Sequence, residues 1–480
     1  MAKWALIHLG SDIAYGMAFF ANDLVEKDQT IHWYDGDENL VSLIDKLKVY
    51  SPDYVCFGPL SSESVQAEHI ATHTKIEIPT TKTVFGGHHA NTLDNIYNTI
   101  AIDYLVKGPC YGAIDNILSN STEYIIEGKP KSTWLMTARL EEYYQQVPRM
   151  AKRPRTYIMS HFGCCYNCHY CNTGKTRNKY RDQYKKSWLT RRPIHKLIKE
   201  ALIAKKHGIK EIALADDDCL YKCKKGQEGT IWWREFYKQW AKIDLPIYCN
   251  VTPISVLKAS EDTILDIATV CDTVQMGYET YSDNSKKLFN RSFQTEEQVI
   301  AACKRLGQYG IKIKLEIIVG LPNINELIPD PVEDAIQTVM SCQRIVQSGK
   351  SKHPELEDIE IKAQCYPLIL YPGTKLYDMC EENNISTVPA WKNSFYEGLG
   401  SVVFDKTQSR NLQNIIKMTT MFVKYNINRR WMEALIDMKL TDTASRKLSE
   451  CNYRDSITFR LNDITTPEFN DIIKGMAFKY

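Results

Sequence analysis

Four cysteines fall within eight positions of the stretch HFGCCYNCHYC, residues 161–171. Cys164, Cys168 and Cys171 are spaced C-x3-C-x2-C, and Cys165 is an extra. Thiols crowded in this way serve as disulfide partners, zinc ligands or iron–sulfur ligands. A closed zinc site needs four ligands, usually as two close pairs, and no second C-x2-C follows. Cys219 and Cys223 offer only C-x3-C much further on, while His161, His169 or Cys165 could be a fourth ligand. Three thiolates in one loop can instead hold three irons of a [4Fe–4S] cube and leave the fourth iron open. An open iron can bind a cofactor or substrate directly.

Four other polar residues stand where strand-like runs end: Asp216, Asp217, Asn250 and Glu279. Strand ends are where α/β proteins build their sites, so these four mark a catalytic mouth. GKT at 174–176 is not a phosphate loop, because His169 occupies the position that needs glycine.

The elements that must position these residues alternate. Residues 1–125 contain short runs such as KWALIHLG, DYVCFGP, KTVFGGH and DYLVKG, separated by helical patterns. One pattern has Leu40, Val41, Leu43, Ile44 and Leu47 at helical spacing and ends at Pro52. The alternation implies a parallel sheet covered on both faces, with ligands beyond its carboxyl ends at GPLSSES, FGGHHAN and VKGPC. Residues 126–150 read as a connector. Six further strand–helix units in 151–385 suggest a partial (β/α) barrel, and one helix opens with a Thr295/Gln298 capping box and closes at Gly310. Residues 386–480 read as a mainly helical, substrate-facing domain.

Bulk properties narrow the function. The net charge of +2 over 480 residues is not that of a chain built to neutralise nucleic-acid phosphates, so nucleic acid is not an expected partner. The basic stretch Lys175 to Lys186 reads as a solvated face or loop. The N-terminus lacks the order of a secretory leader and no apolar run could span a membrane, so cytoplasmic residence is expected. There, 15 cysteines do not read as a disulfide framework.

GCCYNCHYC is similar to the signature loop of the radical S-adenosylmethionine superfamily, including Gly163 before the first cysteine and Tyr170 before the last. IALADDDCL, VQMGYETYSD, FNRSFQTEEQVIAACKRLGQYGIKIKLEIIVGLPN and LILYPGT resemble its barrel in the same order. The resemblance implies that Cys164, Cys168 and Cys171 ligate the cluster. It also implies that S-adenosylmethionine chelates the open iron, and that its reductive cleavage gives a 5′-deoxyadenosyl radical. Glu279 matches a carboxylate that helps hold the cofactor, and Asp216, Asp217 and Asn250 would line the same cavity. An external electron donor such as a flavodoxin or ferredoxin is implied. The fifth barrel strand, LEIIVGLP, lacks an earlier glycine frequent in the family.

Residues 1–125 resemble the Rossmann-like domain that precedes the barrel in the cobalamin-binding branch. That resemblance assigns Ser61, Ser62, Gly86, Gly87, His88 and Gly108 to a cobalamin face. Two departures exist: SDIAYG carries no cobalt-coordinating histidine, and KGPCYG replaces an acidic loop. The activity implied is cobalamin-dependent methylation of an unreactive carbon in a small molecule or peptide. The alternatives are cyclisation or rearrangement, or a first domain that keeps the fold without the vitamin.

Overall fold

The computed structural model describes residues 1–13, 15–92, 101–129, 136–161, 163–173, 191–349, 360–392 and 400–440. Two six-stranded, all-parallel sheets organise the chain. The basic stretch at 175–186 and the segment beyond residue 440 lie outside the described residues.

The first sheet contains β1 (Lys3–His8), β2 (Thr30–Asp35), β3 (Tyr54–Phe57), β4 (Lys82–Phe85), β5 (Tyr104–Lys107) and β6 (Ile125–Glu127), in the order β2-β1-β3-β4-β5-β6. This is a doubly wound arrangement, and its strand order reverses between β1 and β3. Residues 4–8 of β1 are all buried, as expected where helices cover both faces. The helix Leu40–Tyr50 forms where its spacing predicts. The Asn39 side chain accepts from the Val41 and Ser42 amides, and Ser51 turns left-handed before Pro52. β6 was not legible, because only three residues pair with β5, across the boundary where the connector was expected to begin.

The second sheet runs in chain order: β7 (Arg155–Ile158), β8 (Glu211–Leu214), β9 (Ile247–Val251), β10 (Cys271–Glu279), β11 (Lys312–Val319) and β12 (Ile361–Pro367). β7 and β12 are its two edges, so the barrel is partial. Each strand meets the next in parallel, with helices outside. The capping box is present: Thr295 accepts from the Gln298 amide, and the helix Glu296–Gly307 follows. β11 differs from β1. Its odd-numbered residues Ile313 to Val319 are buried under helices, while Lys314, Glu316 and Ile318 stay partly accessible. One face of this sheet is core and the other borders an open lumen.

The helix Lys406–Lys424 buries Leu412, Ile415, Ile416 and Phe422 in the same core as the barrel strands, and Thr420 donates to the Ala363 carbonyl of β12. This part of the expected C-terminal domain therefore belongs to the barrel wall. The two sheets are joined by a buried triad. Tyr15, at the start of the helix Tyr15–Glu26, donates to Glu200, and Arg192 pairs with Glu200 at 2.5 Å. Arg149 adds a partly exposed pair with Asp35 at 2.6 Å. Among the described residues no helix is long and apolar enough to cross a membrane.

Candidate functional site

The cysteine loop leaves the carboxyl end of β7 and is clamped from β8. Asp216 accepts from the Ser160 amide at 2.8 Å and the His161 amide at 3.1 Å, and also from the Ser160 hydroxyl. The His161 imidazole lies 3.1 Å from the carboxylate, and the Cys219 thiol donates to it at 3.7 Å. Burial raises the Asp216 carboxyl, but His161, Ser160 and Arg191 outweigh that and hold it near 2. Asp216 is therefore spent on fixing the loop. Asn250 supports it from β9 by donating to the Asp216 carbonyl at 3.0 Å.

Gly163 has a φ of +83°, the left-handed region that favours glycine, so the turn into Cys164 explains this residue. Cys168 is buried, Cys164 and Cys171 are half-buried, and Cys165 is exposed. The loop is pinned further on. The His169 amide donates to the Phe289 carbonyl at 3.1 Å, and the Asn290 amide group donates to the Asn167 carbonyl at 2.9 Å. Tyr166 stacks on Phe293, with 4.8 Å between ring centroids.

Glu279 ends β10 with a φ of +68°, in a residue type that rarely adopts it, beside a register shift against β11. Strain of this kind collects at functional sites. A Cβ on Gly277 would lie 2.5 Å from the Glu279 Oε1, so glycine there lets the carboxylate fold back. Burial raises the Glu279 carboxyl, and Arg291 opposes the rise.

Arg291, which the motifs did not single out, joins these parts. Its guanidinium lies 3.5 Å from the Cys168 sulfur, 3.4 Å from the Tyr170 hydroxyl and 4.0 Å from the Glu279 carboxylate. It also donates to the Gly277 carbonyl at 2.9 Å. The only signal in the sequence was its place in FNRSFQ, at the start of a stretch already recognised as barrel-like.

Asp217 remains exposed at the mouth, and burial of its surroundings raises it to about 6. It acts electrostatically on both Cys164 and Cys171, and Thr173 donates to it at 3.3 Å. The barrel thus brings Cys164, Cys168, Cys171, Asp217, Asn250 and Glu279 to one mouth. Ser61, Ser62, Gly86, Gly87, His88 and Gly108 stand on the other sheet's crest.

The sequence profile of the radical SAM superfamily matches residues 158–337. Residues 158–337 therefore resemble a radical SAM domain. The chain is 28% identical over 233 residues to the ribosomal protein uS12 methylthiotransferase RimO of Clostridioides difficile (strain 630), covering 47% of this chain and 48% of that protein. A tRNA-2-methylthio-N(6)-dimethylallyladenosine synthase of Aquifex aeolicus is 26% identical over 184 residues, covering 35% and 37%. The chain therefore spans about half the length, or less, of the curated relatives it matches. Among solved structures, the cobalamin-dependent S-adenosylmethionine radical enzyme OxsB with aqua-cobalamin bound shares the fold. The match has a TM-score of 0.64 and 12% identity, covering 100% of this chain and 75% of that one.

A radical SAM domain implies a [4Fe–4S] cluster and S-adenosylmethionine, and the donor set fits. Among the described residues no three potential ligands converge on a single metal ion. A cube does not ask for that, since each thiolate binds its own iron. The loop supplies three thiols of graded burial, and Arg291 sets positive charge beside the most buried one.

Proposed function

We propose that the chain is a cobalamin-dependent radical methyltransferase acting on an unactivated carbon of a small molecule or peptide, with an external one-electron donor. The observation that carries this reading is architectural. A doubly wound sheet and a partial barrel share one chain, and the likeness to OxsB covers all of it.

When bound, the cluster and S-adenosylmethionine supply radical generation, and cobalamin supplies a methyl carrier. This chain's residues do the rest. Cys164, Cys168 and Cys171 hold the cluster. Arg291 balances charge at Cys168 and orients Tyr170. Glu279, Asp217 and Asn250 offer polar contacts at the mouth for S-adenosylmethionine.

The first sheet's crest fits cobalamin in part. A Cβ on Gly86 would meet nothing closer than Val106 at 3.8 Å. His88 keeps exposed surface, although desolvation by its surroundings lowers its basicity. Gly108, with a φ of +75°, is half-buried nearby. Ser61 fits less well, because its hydroxyl lies 3.0 Å from the His89 ring, which packs against Trp391. A Cβ on Gly87 would strike the Gly58 backbone at 2.9 Å, so that glycine serves loop packing.

The names of the curated relatives favour a second reading, methylthiolation, over the part of the chain that they match. One experiment separates the two. The protein is reconstituted anaerobically with iron, sulfide and hydroxocobalamin, then desalted. The proposal expects a corrin spectrum retained by the protein. With S-adenosylmethionine and reductant it also expects S-adenosylhomocysteine alongside 5′-deoxyadenosine. Loss of the corrin on desalting, with 5′-deoxyadenosine alone, would leave the first domain a scaffold. A product that gains sulfur would favour the second reading.

A further inference from the structure

Away from the barrel, the helix Ser64–Glu77 carries two side chains that the radical reading does not use. The helix packs on the first sheet through Ala67, Ile70 and Ala71. His69 and His73 are four residues apart, so they sit one above the other on its solvent side. His69 is exposed and His73 half-buried. Their ring centroids are 4.7 Å apart, with the ring planes at 78°. Neither imidazole has a hydrogen-bond partner among the described residues.

Two histidines spaced one helical turn apart are an arrangement that divalent metal sites use. A metal–nitrogen bond is about 2.0–2.1 Å and a ring nitrogen lies about 1.2 Å from its centroid, so a shared ion stands about 3.2 Å from each centroid. Two such ligands at a right angle have centroids about 4.5 Å apart, and at a tetrahedral angle about 5.2 Å. The observed 4.7 Å falls between these values. The backbone therefore supplies the spacing, and rotation of the rings brings one nitrogen of each to a common point. The last torsion of a histidine is broad, and no hydrogen bond has to break first.

We propose that His69 and His73 chelate a late divalent transition-metal ion. Imidazole nitrogens suit such ions, and affinity rises from Fe2+ through Co2+ to Ni2+. Among the described residues no third protein ligand joins the pair, so water completes the coordination and the ion exchanges readily. Glu77, one turn further on, is engaged by Lys48 at 2.5 Å. The site takes nitrogen ligands on the first domain and is separate from the cysteine loop. An ion bound there closes a ring across one helical turn, and because it binds only the folded helix it stabilises that wall of the first sheet.

The test uses the anaerobically reconstituted, desalted protein without an affinity tag. Ni2+ is titrated by calorimetry near neutral pH, and the melting temperature is followed by circular dichroism with and without the ion. One binding event and a raised melting temperature are expected, with Fe2+ bound more weakly. His69→Ala and His73→Ala should each weaken Ni2+ binding at least about tenfold and remove the rise, while the metal-free melting temperature hardly moves. Val65→His, added to His73→Ala, places an imidazole four residues before His69 at a position 51% exposed, and should restore binding. A wild type that does not bind Ni2+, or both single variants binding as it does, overturns the site. So does binding lost in Cys165→Ser and kept in the histidine variants, which would assign the ion to the exposed thiol of the cysteine loop.

Discussion

Arg291 is the residue on which the mouth's electrostatics turn. It faces a thiol that must become a thiolate, a strained glutamate and a tyrosine, all in a buried setting. Losing one charged hydrogen-bond partner there costs about 1.5–3 kcal/mol. Arg291→Ala should therefore slow 5′-deoxyadenosine formation by about 10- to 100-fold, read by mass spectrometry, while Arg291→Lys retains part of it. The three cysteines proposed as ligands stood out by their spacing and by the resemblance of their loop to a known signature. Arg291 did not, since a lone arginine at the start of a barrel-like stretch carries no pattern until β10 and its following helix fold it back toward Cys168. Asp216 shows the converse. The sequence offers it as a cavity carboxylate, and the fold spends it on the Ser160 and His161 amides.

At the scale of elements, a glycine and a histidine control how two strands end. Gly163→Ala would force a Cβ into the left-handed turn that opens the cluster loop, at a cost of about 1–2 kcal/mol. Its expected outcome is a lower iron content after reconstitution with little change in helix content, checked by iron assay and circular dichroism. His8 ends β1, is fully buried, and has its pKa lowered to about 4, first by burial and then by Arg149. Because the folded form resists the proton, stability is full above about pH 6.5, the unfolded value, and falls as pH drops toward 4. Near pH 5 the loss should reach about 2 kcal/mol, seen in urea titrations, and His8→Asn should flatten it. Strand positions were readable in both sheets from apolar runs ending in glycine or turn residues. β6 was not, because three pairing residues leave no periodicity. The alternating pattern of β11 carried a meaning only the fold reveals, that its polar face borders a lumen.

At the scale of the whole molecule, the account requires the doubly wound sheet and the barrel to act as one body. The Tyr15–Arg192–Glu200 triad is buried where they meet, so Glu200→Ala would leave the Arg192 charge uncompensated. The expected loss is about 3–5 kcal/mol, read as a lower urea midpoint of unfolding. The order of the two α/β units was legible from sequence, while their docking was not, since Tyr15 and Glu200 lie 185 positions apart. The claim on which everything else depends is that the three cysteines hold a cluster that cleaves S-adenosylmethionine. The direct measurement is 5′-deoxyadenosine formed by the reconstituted, reduced protein, beside a Cys168→Ala variant of equal fold. The account predicts 5′-deoxyadenosine from the wild type and none above background from the variant. Equal yields from both proteins, or none from a wild type loaded with iron and sulfide, would contradict it.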